Sequence, residues 1–526
     1  MRAARLISVV ALLALTLGCA ARPRVPPPLD LSARLGEADA LVRAGCFDCL
    51  RDALDRYQAL RSVTGALPAA IEQASAGAFR SAALLALRQR ELGMADDGYL
   101  KTARDLLASG APGTCGGASP PCDSLNQLLD VASLALRTSS TVARPATNDT
   151  ALAELQQFNR NRGEYGTLLR ETAGRDLLAG YAWLSFACGS ATNVTSAAQA
   201  IEPVDPALRD LPLFAFKRAT CLTTQPPALE RILENDSRFL DVTYLLGLAA
   251  VGRRKLDDAD TWLQRGFDWQ PRWPALTLTI ANVAMTAEDF DRSLDFYNKT
   301  LDLEPDAVDA LIGKVRALTY LARHEEAIAT ADQLLGKRWY PGDAYYWRAY
   351  NELQLDRLDA AWADVEASAR LLINAAVPKL TGLIALRRRE LDVARVKFEE
   401  SLQREARDCE VGFYLGVVVA EQKNWLRASS TFTGAIGCLE SAIGDLQFEI
   451  ERIRRSDDPP ARQARQIAGR ERRIAASRRL IATSTFNTAV AYFNLSRDVE
   501  ARPYAMKVAD DEQFGERARE ILSRLK

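Results

Sequence analysis

A repeat with a period of about 34 residues runs through the middle of this 526-residue chain, and no other feature restricts the fold as strongly. Each repeat carries two marker residues, most of them small, that stand twelve positions apart, beginning with Gly247 and Ala259. Sequence periods of roughly 20 to 50 residues indicate one supersecondary unit per period, stacked on its neighbours. Five more pairs follow at steps of 34 residues, with one step of 33: Ala281 and Ser293, Val315 and Ala327, Ala349 and Ala361, Gly382 and Ala394, and Gly416 and Ala428.

The spacing within each unit predicts two antiparallel helices. Residues four apart lie on the same helical face, and a further packing residue stands four positions after the second marker in every unit. Each hairpin has apolar faces that it cannot bury alone, so neighbouring hairpins must stack into a continuous core. The sequence therefore predicts an all-α fold, an α-solenoid of antiparallel helix pairs. The packing residues are Leu263, Tyr297, Ala331, Val365, Phe398 and Phe432.

In this register the chain resembles the tetratricopeptide repeat (TPR) family, with six units in residues 240–442. Pro271 and Pro305 close the first two units as expected, whereas Val315 is bulky for its place and the next closing proline is displaced to Pro341. The resemblance implies a right-handed superhelix with a concave groove. It also implies that the chain binds other proteins.

The resemblance assigns the groove to the second, fifth, ninth and twelfth residues of the first helix in each unit. Aromatic and arginine residues carry most binding energy at interfaces, so such a groove suits an extended or helical peptide. Some family members clamp a C-terminal carboxylate with Lys and Asn four apart, but here Leu278 precedes Asn282, so that clamp is not supported. Coverage of the groove by the last helix or by the N-terminal half is the alternative. The candidate groove residues are Tyr244, Asn282, Arg316, Tyr346, Tyr350 and Phe413.

The repeat register is lost on both sides of the six units. Residues 29–239 keep a helical periodicity and are interpreted as divergent helical repeats, with a separate helical domain of other ancestry as the alternative. Residues 443–481 interrupt the array and predict an inserted basic helical hairpin, because isoleucines recur there every seven residues. The marker pair resumes at Ala489 and Ala501. Residues 482–526 are therefore expected to form the final TPR unit and a capping helix.

Residues 1–19 are typical of a lipoprotein signal peptide, with two arginines, a short apolar run and a cysteine. The five residues that end at Cys19 resemble a bacterial lipobox, which implies lipidation of Cys19, and Ala20 resembles an outer-membrane sorting position. A cleaved secretory peptide with an incidental Cys19 is the alternative. Residues 20–28 contain four prolines and predict an extended tether. We therefore expect export and a lipid anchor in the outer membrane, facing the periplasm.

Eight further cysteines fall into four local couples, and disulfides are favoured in the oxidising space that exported proteins occupy. Cys409 and Cys438 stand at the first and thirtieth positions of one repeat, which an antiparallel hairpin brings to the same end. Cys46 and Cys49 form a C-x-x-C motif, for which a thiol-exchange site is the alternative to a local disulfide. The sequence does not prove connectivity. The other candidate couples are Cys115 with Cys122 and Cys188 with Cys221.

Arginines concentrate in the inserted hairpin. Residues 452–479 contain ten arginines and three acidic residues, a local excess of seven positive charges. Such a surface suits phosphate-bearing lipid headgroups, acidic glycans or an acidic protein. A solvated helix face with internal ion pairs is the alternative. The candidate residues are Arg462, Arg465, Arg470, Arg472, Arg473, Arg478 and Arg479.

Composition argues against several function classes. The formal net charge of -1 gives no overall attraction to nucleic acid. The chain has one histidine, His324, which leaves most nucleophile-and-base sites and metal sites without their usual residue. We therefore expect no catalysis, cofactor, metal or nucleic acid. The predicted function is a membrane-anchored scaffold that assembles or recruits envelope proteins or their peptide segments. A carrier that binds glycan or lipid headgroups through the arginine-rich hairpin is the alternative.

Overall fold

The structure is a computed structural model that describes residues 29–109, 122–139, 149–188, 199–221, 226–337, 340–456 and 460–525. In these ranges the regular structure is helical, apart from an isolated bridge between Leu29 and Ala66. The all-α prediction is therefore confirmed. The predicted signal peptide, Cys19 and the tether lie outside the described residues. Within the described part, no helix is both long enough and apolar enough to cross a membrane.

The described residues form two compact units, of which the first lies within residues 29–88, 96–139 and 161–221. The helices found there, two of which continue into the second unit, are α1 Ser32–Ala44, α2 Phe47–Arg61, α3 Pro68–Leu92, α4 Tyr99–Ala108, α5 Cys122–Ser139, α6 Asp149–Thr172, α7 Leu177–Cys188 and α8 Pro212–Cys221. Their packing departs from sequence order, because α1 contacts α8 as well as α2, and α5 contacts α7. Divergent repeats in residues 29–239 stay a prediction.

The second unit comprises residues 89–95, 140–160 and 222–526 and contains the repeat array. Each helix of the array contacts the next, and the first helix of a repeat also contacts the first helix of the following repeat. The first helices therefore line the inner side of the array. The helices are α9 Pro226–Asn235, then the pairs α10 Val242–Gly252 and α11 Leu256–Trp269, α12 Pro274–Thr286 and α13 Phe290–Leu303, α14 Val308–Tyr320 and α15 His324–Leu335, α16 Pro341–Gln354 and α17 Leu358–Ala369, α18 Ala376–Arg387 and α19 Leu391–Arg404, α20 Cys409–Glu421 and α21 Trp425–Arg454, α22 Pro460–Asn494 and α23 Asp498–Lys507, and finally α24 Gly515–Arg524.

Glycine at the first marker position makes room for a large side chain from the second helix. A Cβ on Gly382 would lie 2.7 Å from the ring of Phe398, and one on Gly416 would lie 2.6 Å from the equivalent ring. In the third repeat the sizes are exchanged, since Val315 stands at the glycine position and Ala331 at the aromatic one. Val315 is fully buried there. The bulky residue is thus accommodated because its partner position is small.

The turn between the two helices of a repeat contains one non-glycine residue in the left-handed region, with φ between 56° and 66°. This residue recurs with the repeat period, and between the sixth and seventh repeats it returns after 73 residues, which is one period plus the 39 residues of the predicted insertion. The backbone of the turn is therefore the same in all seven helix pairs. The residues are Arg254, Glu288, Ala322, Asp356, Arg389, Lys423 and Ser496.

The insertion lengthens two helices of the array into one hairpin. Helix α21 has 30 residues and α22 has 35, against 14 in α11, α13 and α19. Leu446, Ile450 and Ile474 are buried between the two long helices, with Ile443 and Ile467 packed beside them. An apolar seam therefore joins the two helices of the hairpin. The predicted turn falls on residues 457–459, which lie outside the described residues.

Two of the four candidate cysteine couples are disulfides in the structure. Cys409 is joined to Cys438, which links the start of α20 to α21, and Cys46 is joined to Cys49 at the start of α2. Both sulfurs of the C-x-x-C motif belong to fully buried residues, and a helix precedes them. This burial favours the local structural disulfide over a thiol-exchange site.

The other two couples extend beyond the described side chains. Cys188 is disulfide-bonded, while the side chain of Cys221 is not described, so the pairing of these two residues stays a prediction. Cys115 lies outside the described residues, and so does the side chain of Cys122. Their pairing also stays a prediction.

Candidate functional site

Three tyrosines lie close to one lysine on the inner side of the array, and a fourth tyrosine lies close to two of them. Tyr346 and Tyr350 come from α16, and Tyr350 lies within electrostatic reach of Tyr320, Lys379 and Glu410. Tyr414 in α20 lies within reach of the same lysine and glutamate. We call this group of six residues the tyrosine cluster. Its members are Tyr320, Tyr346, Tyr350, Tyr414, Lys379 and Glu410. It combines side chains from four consecutive first helices.

Lys379 is held by two carboxylates. Its Nζ donates to Oε2 of Glu410 at 2.6 Å and to Oδ2 of Asp408 at 3.0 Å. Burial opposes the charge on Lys379, but the bonds to Glu410 and Asp408 raise its pKa above the ordinary value. The lysine is therefore charged and positioned. The side chain of Glu410 remains 47% exposed, so a second group can reach this carboxylate.

Burial raises the pKa of three phenols of the tyrosine cluster. Burial, followed by the proximity of Tyr350, raises the pKa of Tyr346 to about 12. Burial and then the charge of Glu410 raise the pKa of Tyr350 and of Tyr414. Within the described part of the chain, none of the four hydroxyl groups has a hydrogen-bond partner. The cluster thus offers four hydroxyl groups that can donate to a ligand.

Arg316 in α14 and Asp343 in α16 add two polar groups beside the tyrosine cluster. The guanidinium of Arg316 lies 5.9 Å from the ring centroid of Trp347, and its buried Nε has no hydrogen-bond partner among the described residues. Burial raises the pKa of Asp343, while its own backbone hydrogen bond and Arg316 act in the opposite direction. Both side chains are available to an incoming polar group.

The predicted groove position at the N-terminal end of the array is buried. Tyr244, a predicted groove residue, is 2% exposed and packs on Trp273 with ring centroids 4.9 Å apart. The indole nitrogen of Trp273 donates to the carbonyl oxygen of Leu92 at 2.7 Å. The segment 89–95 therefore contacts Trp273, the residue that packs on Tyr244.

The remaining predicted groove residues are partly engaged. Asn282 is exposed, and its Oδ1 accepts a hydrogen bond from the hydroxyl of Tyr297 at 2.7 Å. Phe413 is 8% exposed and packs on Phe432. Of the six predicted groove residues, the structure brings Tyr346 and Tyr350 together in one accessible cluster, with Arg316 beside it.

Sequence reasoning missed four members of the tyrosine cluster. Lys379 and Glu410 occupy the fifth and second positions of their first helices, so the groove register contained the signal for both. Tyr320 and Tyr414 stand outside that register, and no sequence signal marked them. The repeat pattern therefore marks four of the six members of the cluster.

A network of polar groups inside the fourth repeat has a structural role. Arg348 donates to both carboxylate oxygens of Asp364, at 2.5 and 2.7 Å, and to Asp332 at 2.5 Å. The ring of His324 is 2.8 Å from Oδ1 of Asn351. These side chains hold α15, α16 and α17 together, and His324 is used in packing. Among the described residues, no group of three or more potential ligands is arranged to hold a metal ion.

The arginines of the inserted hairpin divide into paired and unpaired groups. Arg470 Nε donates to Glu449 at 2.8 Å, and Arg472 Nη2 donates to Glu288 at 3.0 Å. Arg473, Arg478 and Arg479 are exposed, with no ion pair among the described residues. The side chains of Arg462 and Arg465 lie outside the described residues.

Comparison with known proteins gives similarity to solved structures alone. No protein-family model matches this chain, and no curated protein matches it. One similar structure is the TPR protein YrrB, described as having an unusual peptide-binding site, at 19% identity over 34% of this chain and 91% of that chain, with a TM-score of 0.28. Another is a tetratricopeptide repeat protein from Parabacteroides merdae, at 14% identity over 57% and 98%, with a TM-score of 0.35. A third is the Cut9-Hcn1 hetero-tetramer of the APC/C, at 13% identity over 94% and 96%, with a TM-score of 0.37.

Proposed function

We propose that this protein is a non-catalytic scaffold that binds an extended segment of a partner protein on the inner side of its repeat array. The observation that carries the proposal is the tyrosine cluster, in which four tyrosine hydroxyl groups have no hydrogen-bond partner among the described residues and three of the four tyrosines lie close to Lys379 and Glu410. Unpaired polar groups at an accessible, partly buried surface are available for binding, because a ligand satisfies them at little cost in desolvation.

The chemistry of the cluster matches an extended peptide. Phenol hydroxyls donate to backbone carbonyl oxygens, and the aromatic rings offer large contact area with few rotatable bonds. Tyrosine and arginine are enriched among the residues that dominate binding energy, and Arg316 adds an unpartnered Nε to the same side. Removing one such residue costs about 1 to 4 kcal/mol of binding free energy in characterised interfaces.

We further propose that the scaffold is an exported lipoprotein, anchored through Cys19 in the outer membrane and facing the periplasm, where it recruits envelope proteins. The support is the lipobox-like sequence before Cys19, the proline-rich stretch after it and the paired cysteines. Disulfides persist in oxidising compartments. The anchor would hold the array at the membrane surface.

The experiment is capture of the full-length, membrane-extracted protein with a photo-cross-linking residue in place of Tyr346. We expect one or two stoichiometric envelope proteins in the cross-linked product, and a diacylated Cys19 by mass spectrometry. Tyr350→Phe removes one hydroxyl and should weaken capture, whereas Tyr504→Phe changes a tyrosine of α23 and should leave capture unchanged. An unlipidated protein without a specific cross-linked partner would overturn the proposal.

A carrier of lipid headgroups or glycans is the second candidate function, favoured by the exposed Arg473, Arg478 and Arg479. Arg470 and Arg472 are engaged within the protein, so charge reversal is best confined to the other three. The triple reversal should abolish binding to vesicles that contain an anionic phospholipid. Unchanged binding of the triple variant would remove this candidate.

A further inference from the structure

One arginine of the inserted hairpin reaches a repeat that is distant in the sequence. Arg472 Nη2 lies 3.0 Å from Oε2 of Glu288, which stands 184 residues earlier in the chain. Gly469 lies one helical turn before Arg472 on the same face, and a Cβ built there would lie 3.6 Å from the same carboxylate oxygen. The hairpin, which is inserted between the sixth and seventh repeats, therefore touches the turn of the second repeat.

The hairpin is built as a stiff arm. Its helix α21 exceeds the 14 residues of an ordinary second helix by about 16 residues, which corresponds to about 24 Å at 1.5 Å per residue. Leu446, Ile450 and Ile474 fill the seam between its helices, and the ion pair of Arg470 with Glu449 crosses that seam. Because the hairpin has its own apolar core, it can hold Arg472 at a fixed position relative to the array.

An acidic residue at the turn distinguishes the second repeat from the repeats on either side of it, and the other acidic turn residue, Asp356 of the fourth repeat, is paired with Arg387. The turn residue in the left-handed region is Glu288 here, but Arg254 in the repeat before and Ala322 in the repeat after. The turn itself accepts these different residues with the same backbone, so its conformation does not require a glutamate. At the turn position itself, Arg254 would repel a guanidinium, and the side chain of Ala322 carries no charge.

We propose that the inserted hairpin is a strap that closes the repeat array by docking on the turn of the second repeat through Arg472 and Glu288. In an open solenoid each repeat contacts only its neighbours, so this contact makes a second connection across repeats three to five. Those repeats contribute Tyr320, Tyr346, Tyr350 and Lys379 to the inner side. That the strap controls access of a partner rests on the proposed function, whereas closure itself is intramolecular.

The contact is weak enough to open. The side chains of Arg472 and Glu288 are 67% and 41% exposed, and ion pairs of this kind contribute about 0 to 1 kcal/mol and are screened by salt. The strap therefore exchanges between closed and open forms. High ionic strength, or a soluble polyanion that competes for Arg472, shifts it toward the open form.

The test uses the full-length protein with Arg472→Lys, in which a carbodiimide can join the new amine directly to the carboxylate of Glu288. We expect a cross-linked peptide between positions 472 and 288 at low salt. Its yield should fall about threefold or more between roughly 0.05 and 0.5 M NaCl, as the Debye length shrinks to about 4 Å. Arg473→Lys is the matched control, because that neighbouring side chain is exposed with no ion pair among the described residues, and it should give no link to Glu288.

A second measurement tests the ion pair without a cross-linking reagent. Small-angle scattering of Arg472→Glu should show a larger radius of gyration than the native chain, and the double variant Arg472→Glu with Glu288→Arg should restore the native value. Arg473→Glu should have no effect. Absence of the link between positions 472 and 288, or equal scattering of Arg472→Glu and Arg473→Glu, would overturn the strap. Neither measurement contains a partner, so failure to capture a partner would overturn the proposed function and leave the strap standing.

Discussion

Glu352 makes the stability of the fourth repeat dependent on pH, and its replacement by glutamine should remove that dependence. The side chain is 9% exposed, and its Oε2 has no hydrogen-bond partner among the described residues. Burial first, and then the charge of Asp364, raise the pKa of Glu352 from the ordinary 4.5 to about 7, while Arg348 acts in the opposite direction. The folded chain therefore holds the proton of Glu352 more tightly than the unfolded chain does.

The sign and size of the effect follow from this difference. Below pH 4.5 Glu352 is protonated in both states, and its neutral form is fully compatible with the fold. As the pH rises from 4.5 through about 7, that advantage is lost because the unfolded chain releases the proton first. At about 1.4 kcal/mol per pH unit the full loss would be about 3.5 kcal/mol. Local relaxation around the charged carboxylate reduces this loss, and we expect roughly 1 to 2 kcal/mol at pH 8.

The assay is native-state hydrogen exchange of the amides in α16 and α17, because a repeat array opens locally and has no single unfolding free energy. Glu352→Gln should raise the protection factors of these amides at pH 8 by about ten-fold, the equivalent of about 1.4 kcal/mol, and should change little near pH 4.5. Glu366→Gln, an exposed position on α17, is the control. A Glu352→Gln variant that is equally or less protected at pH 8 would refute the reasoning.

Three further predictions concern packing. Gly382→Ala should destabilise its repeat by about 1 to 3 kcal/mol, because the new Cβ meets an aromatic ring. Gly444→Ala lies on an open helix surface and should instead stabilise the hairpin by about 0.5 to 1 kcal/mol. Local hydrogen exchange of the two segments measures both effects. Replacement of Cys409 and Cys438 by alanine should lower the stability of α20 and α21 by about 2 to 4 kcal/mol, and unchanged exchange there would contradict this. Asn351→Ala removes hydrogen bonds from a fully buried side chain and should cost about 1 to 3 kcal/mol, read from amides of α15 and α16.

Much of the fold is predictable from the sequence because a repeat array is stabilised by contacts between neighbours in the chain. The marker pairs give the period, and most of the residues predicted as an insertion lie in the long helices α21 and α22. The pairing of Cys409 with Cys438 followed from their positions within one repeat. The helix pairs of residues 240–442 are predictable from the same local spacing of marker residues.

The candidate site is predictable only in part. Tyr346 and Tyr350 were found through the groove register, and Lys379 and Glu410 occupy the same register. Tyr244 also occupies a groove position, but it is buried against Trp273. The indole nitrogen of Trp273 donates a hydrogen bond to the carbonyl oxygen of Leu92, in the segment 89–95. That segment is 181 residues away in the sequence, so no periodic pattern could indicate this contact.

The sequence by itself determined the all-α class, the repeat period, the insertion and the residue types that each repeat presents. Only the tertiary structure decided which of these residues meet across the array, as Arg472 and Glu288 do. The physical reason is that local periodicity fixes each hairpin and its neighbour, whereas a distant contact depends on small rotations summed over several repeats. Such a sum places a side chain within hydrogen-bond distance only in the assembled array.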